Sequence, residues 1–136
     1  MASTYTDGTL KLNAGDTLSE DETYLGDLTG RTKLWVTIKG SVSDADSAAL
    51  MQIEETAGLE YINGTAAAVA GNGSITVTNV AAGNLTWKLE GAESVKLVEA
   101  FGKCYFDVKV LNAASELATL RRRKVLFITD VTRATA

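Results

Sequence analysis

The sequence predicts a mostly β chain folded as an antiparallel β-sandwich, with one or two short helices. Three observations carry that expectation. Apolar residues alternate with polar ones in several segments, those segments are short and evenly spaced, and Gly, Asn and Asp stand at the joints between them. Many short strands joined by such turns are the pattern of sandwiches, the immunoglobulin-like kind among them.

Along the chain, residues 1–14 are polar and loosely patterned, with only Leu10 and Leu12 alternating near the end. They are expected to form an N-terminal arm that orders against a neighbouring chain, since termini are mobile unless tied down. Thr9 to Leu12 is a short strand candidate within it. Residues 15–133 are expected to form the single sandwich domain. Asp16, Glu20, Asp21 and Glu22 make an acidic cluster ahead of a strand candidate over Thr23 to Leu28. A dense surface loop of acids is expected there, against the sharper reading of a catalytic carboxylate pair.

Lys33 to Lys39 is the clearest strand: Leu34, Val36 and Ile38 alternate with Trp35, Thr37 and Lys39, and Gly40 follows. Asp44 to Glu54 fits a short helix capped by Asp44 or Asp46, or an irregular strand. Asp44, Asp46 and Ser47 begin like a calcium loop, but its turn glycine and terminal glutamate are not at the required offsets. Leu59 to Asn63, Ser74 to Asn79 and Asn84 to Leu89 are further strand candidates, with Gly71, Asn72 and Gly73 suited to a tight positive-φ turn. Val95, Val98 and Phe101 have helical spacing, and Gly102 stands ready to end that helix.

In the segment Lys103 to Leu111, Cys104, Phe106, Val108 and Val110 share one face, which predicts a strand with those four in the core. Ser115 to Leu120 and Lys124 to Thr129 are the last strand candidates. Between them Arg121, Arg122, Arg123 and Lys124 are expected at a charged hairpin turn or along a charged sheet edge. The sharper reading makes the run a docking patch for an acidic neighbour, with the Asp16 to Glu22 region of a sister chain as partner.

Composition narrows function. The chain has 136 residues, enough for one domain that needs no metal or disulfide staple. It has no histidine, which removes the commonest general base and metal ligand, and a single cysteine, which excludes an internal disulfide. An enzyme is therefore not expected, nor a cofactor or metal site. Cys104 reads as a core residue, because a nucleophilic cysteine wants an electropositive, partly exposed setting. A net charge of −4 speaks against a nucleic-acid partner. No secretory leader and no apolar run long enough for a membrane span is visible, so cytoplasmic folding is expected. The three Asn-X-Ser/Thr sites, at Asn63, Asn72 and Asn84, then read as turn residues. Proline is absent, for which there is no physical account.

The order of the pieces carries a resemblance. Gly15-Asp-Thr-Leu18 is followed by Leu28-Thr-Gly30, then by Lys33-Leu-Trp-Val-Thr-Ile-Lys39 and Ser43-Asp-Ala-Asp46. Much later come Tyr105-Phe-Asp-Val108 and, at the end, Asp130-Val-Thr-Arg133. This resembles tailed-bacteriophage virion proteins similar to the N-terminal domain of the baseplate upper protein, over roughly residues 15 to 133. The resemblance implies a β-sandwich adaptor, attachment or decoration part that oligomerises and packs against other virion proteins, in a virion assembled in the host cytoplasm. Two features depart from that pattern: Arg121-Arg-Arg123 stands where the closing hairpin carries a glycine, and a stand-alone domain without the distal part is expected. The alternative expectation is a glycan-binding β-sandwich module for host adhesion, with Trp35, Trp87 and Tyr105 as candidate aromatics.

Overall fold

A computed structural model describes residues 9–41, 43–99 and 104–129. Alternation of apolar residues builds most of its strands. In chain order these are β1 (Thr9–Ala14), β2 (Leu18–Glu22), β3 (Lys33–Lys39), β4 (Met51–Glu54), β5 (Gly58–Ile62), β6 (Thr65–Ala66), β7 (Gly73–Asn79), β8 (Asn84–Leu89), β9 (Cys104–Leu111) and β10 (Leu117–Thr129). Single 3-10 turns lie at Asp46–Ala48 and Ala70–Asn72, and a helical corner runs through α1 (Gly91–Ser94) into a 3-10 segment, Val95–Glu99.

The strands form two sheets. One has the order β1-β10-β9-β3-β4-β5-β6 and the other β2-β8-β7. With β2, β8 and β7 in the places of strands B, E and D, and β10, β9, β3, β4 and β5 in those of G, F, C, C′ and C″, this is the variable-type immunoglobulin-like arrangement. All pairs are antiparallel except β1 with β10, which run parallel from Thr9↔Lys124 to Ala14↔Thr129.

The core lies between the sheets. From the large sheet come Leu34, Val36 and Ile38 of β3, facing Val110, Val108 and Phe106 of β9 in register. The small sheet sends Leu85, Trp87 and Leu89 of β8 and Ile75 of β7. Trp87 and Phe106 stack across the gap, their ring centroids 5.8 Å apart and their planes at 29°. The core expectation for Cys104, Phe106, Val108 and Val110 is met, all four being buried. Burial also pushes the Cys104 thiol pKa up, which lowers its thiolate fraction near neutral pH. A thiol reagent should therefore label native Cys104 far more slowly than the unfolded chain, and labelling at the unfolded rate would count against its burial.

Several expected elements differ. Residues 9–14 of the expected arm form β1, with Leu10, Leu12 and Ala14 buried, while residues 1–8 lie outside the described residues. Deleting residues 1–13, which a free arm would tolerate, removes a strand and two core leucines. Thr23 to Leu28 is irregular instead of extended. Its backbone bonds to the β7–β8 turn: the Leu25 N–H donates to the Gly83 carbonyl at 3.0 Å, and the Leu28 N–H to the Val80 carbonyl at 2.9 Å. Gly83 sits at φ +73°, and a Cβ there would stand 2.1 Å from the Gly26 carbonyl oxygen. Only glycine fits that close approach.

The helix expected from Asp44 shrinks to the turn at Asp46–Ala48, whose N-cap is Ala45 with no side-chain cap; β4 follows. Gly73 is extended at φ −135°, so no positive-φ turn forms at Gly71 to Gly73. The expected helix at Glu93 begins at Gly91, and it is Leu97, not Val95, that buries; Phe101 and Gly102 lie outside the described residues. That corner is pinned to the β1–β2 turn through buried Ser94, whose Oγ accepts from the Gly15 N–H at 3.0 Å and donates to the Asp16 carbonyl. Buried Glu93 accepts from Asn72 Nδ2 at 2.8 Å and from Lys96 Nζ at 2.7 Å, which lowers its pKa, Lys96 contributing most.

Candidate functional site

The basic run is not a turn. Arg121 to Lys124 lies in the middle of β10, and the hairpin loop joining β9 to β10 is at residues 112–116. A one-residue bulge decides where the run points. Thr119 pairs with Lys109 but Arg121 pairs with Val108, which leaves Leu120 as the extra residue. A strand alternates faces, so one added residue exchanges the inward and outward sets beyond it. Past the bulge, Arg121, Arg123, Val125 and Phe127 turn inward, and Arg122, Lys124, Leu126 and Ile128 turn outward.

The inward arginines meet the acids of β2. The expected acidic loop is a strand there, with Leu18, Glu20 and Glu22 facing in. Glu22 is completely buried, and its Oε1 lies 3.1 Å from Arg121 Nη1 and 3.1 Å from Arg123 Nη2. Arg121 Nη2 also donates to the Thr23 carbonyl at 2.7 Å. Glu20, half-buried beside them, has its pKa raised, first by burial and then by Glu22, with Arg123 opposing. Arg121, Arg123, Glu20 and Glu22 thus form one charged layer that ties the two sheets within a single chain. Asp21 points outward and accepts from Thr86 Oγ1 at 2.6 Å. Asp16 lies in the β1–β2 turn, exposed, its carbonyl held by Ser94. Of the eight residues expected to meet a partner, only Arg122, Lys124, Asp16 and Asp21 are exposed.

The outer face of the large sheet offers a different set. Arg122 and Lys124 are followed by Leu126 and Ile128, which stay 45% and 39% exposed although apolar. Beside them, a depression of about 230 Å³ opens over the outward residues of β3, β4 and β9. Trp35, Thr37 and Lys39 of β3, Gln52 of β4, and Asp107 and Lys109 of β9 line it, with Asp46 and Leu117 at its rim. Lys39 Nζ holds Asp46 at 2.8 Å, and Gln52 Nε2 donates to Thr37 Oγ1 at 3.3 Å. The Lys39 bond is the largest cause lowering the Asp46 pKa, with Gln52 adding to it.

Asp107 is set apart from that network. Its Oδ1 is buried and has no hydrogen-bond donor among the described residues. Burial raises its pKa most, while Lys109, Lys39 and Arg122 oppose the rise. Asp107, Thr37 and Gln52 were not singled out by sequence. A carboxylate in the middle of a strand flanked by Tyr105 and Lys109 is the one signal that could have flagged the first. Of the three candidate aromatics, Trp87 is lost to the core, and Trp35 and Tyr105 are half-buried on the outer face. The described residues include no cluster of three His, Cys, Asp or Glu side chains that could hold a metal.

No protein-family model matches the chain, and no curated protein matches it. Among solved structures, one of VGSC beta subunits, from photo-crosslinking work on multimeric cell-adhesive interactions, is similar over 96% of this chain and 95% of that one. Identity there is 12% and the TM-score is 0.41, a likeness too slight to bear on function; the sandwich rests on its own strand order.

Proposed function

We propose that this chain is a structural component of a bacteriophage particle, an adaptor, attachment or decoration protein that oligomerises and packs against other virion proteins. The observation that carries the reading is the outward row of β10. Two cations, Arg122 and Lys124, lead directly into two exposed aliphatic residues, Leu126 and Ile128. An apolar pair bordered by charge on a sheet face is suited to a protein partner with an apolar centre and an acidic rim. The resemblance adds to it, since Leu28-Thr-Gly30 leads into β3 and Tyr105-Phe-Asp-Val108 lies in β9, the strand between β3 and β10. The closing motif, Asp130 to Arg133, falls outside the described residues.

Mass spectrometry of purified particles from a lysate carrying this sequence tests the reading directly: the chain should be a stoichiometric component, and its absence from particles sinks the idea. The double substitution Arg122→Ser with Lys124→Ser should leave monomer stability within about 0.5 kcal/mol, because both side chains are exposed. The same change should weaken self-association or incorporation, and added salt should weaken the wild type, as exposed charges are screened. Incorporation unchanged at every salt concentration would remove these two cations from the interface.

A further inference from the structure

The depression on the outer face has a chemistry that the assembly reading does not use. Its floor carries an acceptor, Asp107 Oδ1, that no donor among the described residues reaches. A buried carboxylate oxygen left unpaired is costly, so the site gains most from an occupant that brings a hydrogen-bond donor. Nearby charge selects which kind. Lys39, Lys109 and Arg122 act on Asp107 against the single acid Asp46, and Lys39 is engaged with Asp46 at 2.8 Å. A further cation would therefore meet three cations already placed around Asp107. A neutral hydroxyl donor meets no such opposition.

Size and walls point the same way. The depression holds about 230 Å³. That is below the roughly 300–1,000 Å³ of pockets that enclose drug-sized ligands. It suits one ring, not an extended ligand. The Trp35 indole supplies an apolar wall, with Lys33 Nζ 6.0 Å from its centroid. Gln52 and Thr37 are each 4% exposed and bonded to one another, so the floor is fixed before anything binds.

We infer that this depression is a subsite for one neutral sugar residue of a glycan, with Asp107 accepting hydrogen bonds from ring hydroxyls and Trp35 packing against the ring face. Protonation of Asp107 removes an acceptor, so binding should weaken as the pH falls. This inference stands or falls apart from the assembly reading, because that reading rests on the β10 row of Arg122, Lys124, Leu126 and Ile128, whereas this one rests on residues of β3, β4 and β9 and is tested on the isolated chain.

The test uses the full chain and a panel of monomeric methyl glycosides (gluco, galacto, manno and N-acetylglucosamine) observed by saturation-transfer NMR, with N-acetyl-arginine amide as a cationic probe. At least one neutral glycoside should bind, and it should perturb the amide signals of residues 35, 37, 107 and 109. Asp107→Ala and Trp35→Ala should each weaken that binding at least ten-fold while the thermal midpoint and circular dichroism stay near wild type. If either variant fails to fold, the wild-type amide perturbations and their loss on acidification decide. No binding of any glycoside at millimolar concentration overturns the inference. So does binding that survives both substitutions, binding that maps elsewhere, or preference for the arginine derivative, which would make the depression a socket for a protein side chain.

Discussion

Replacing Glu22 by Gln should destabilise the folded chain by about 3–5 kcal/mol, the usual cost of removing one member of a buried ion cluster. Glu22 is wholly buried and is the shared partner of Arg121 and Arg123, whose side chains keep only 13% and 20% of their exposure. Without its charge, two guanidinium groups remain in a poorly solvated gap between the sheets, with the Thr23 carbonyl as acceptor and half-buried Glu20 as the nearby carboxylate that is left. The cost arises from stranded charge and not from the worth of the pair itself. Substituting all three residues together, Glu22→Leu with Arg121→Met and Arg123→Met, should therefore recover most of the loss, since a well-packed apolar replacement is often neutral or better. Urea unfolding of the single and triple variants measures both. A Glu22→Gln variant within about 1 kcal/mol of wild type would mean that water reaches the cluster and that it holds little. The same geometry replaces the charged hairpin turn expected from sequence. Changing Arg121, Arg122 and Arg123 together to Ser would leave the fold intact only if all three were exposed, and only Arg122 is.

Phe106→Ala should cost about 3–5 kcal/mol. Phe106 is fully buried in the central pair of the large sheet, opposite Ile38 and Arg123 in register, and its ring stacks on Trp87 of the other sheet. Truncation removes the aromatic stack between the sheets and leaves a cavity that Val36 and Val108, stiff at χ1, fill poorly. Variable-type immunoglobulin domains of antibodies bridge their sheets with a disulfide packed on a tryptophan from strand C. This chain has one cysteine, and its strand-C tryptophan, Trp35, faces outward. The Trp87–Phe106 stack takes the bridging place instead. Phe106→Leu should lose distinctly less than Phe106→Ala, and a loss below about 1 kcal/mol for the alanine variant would show that the gap closes by repacking.

Much of the sandwich was legible from local pattern. Where one face of a strand is apolar and the other is not, period-2 alternation names both the strand and its inward side, as in Lys33 to Lys39 and Cys104 to Leu111. Asn84 to Leu89 coincides with β8 residue for residue. The acids of β2 were harder, because Leu18-Ser-Glu-Asp-Glu22 has an inward set of one leucine and two glutamates. Such a segment reads as a surface loop until something buries it. As a glycan contact the depression was legible only in Trp35, and Asp46 was read as a helix cap or the start of a calcium loop; its floor comes from three strands that meet through pairing, not through sequence proximity.

Local pattern alone is enough to establish that the chain is mostly β, that β3 and β9 present Leu34, Val36, Ile38, Phe106 and Val108 to a core, and that Cys104 belongs there too. It could not settle which way β10 faces; that took the pairing of the folded sheet. Val125 and Phe127 are about as apolar as Leu126 and Ile128, so alternation marks two faces without saying which one is buried. The bulge at Leu120 makes that choice, sending Val125 and Phe127 toward the core and leaving Leu126 and Ile128 exposed. The same step turns Arg121 and Arg123 toward Glu22, 99 positions from Arg121 in the chain. An ion cluster across that separation has no local signature, because what fixes it is sheet register and packing.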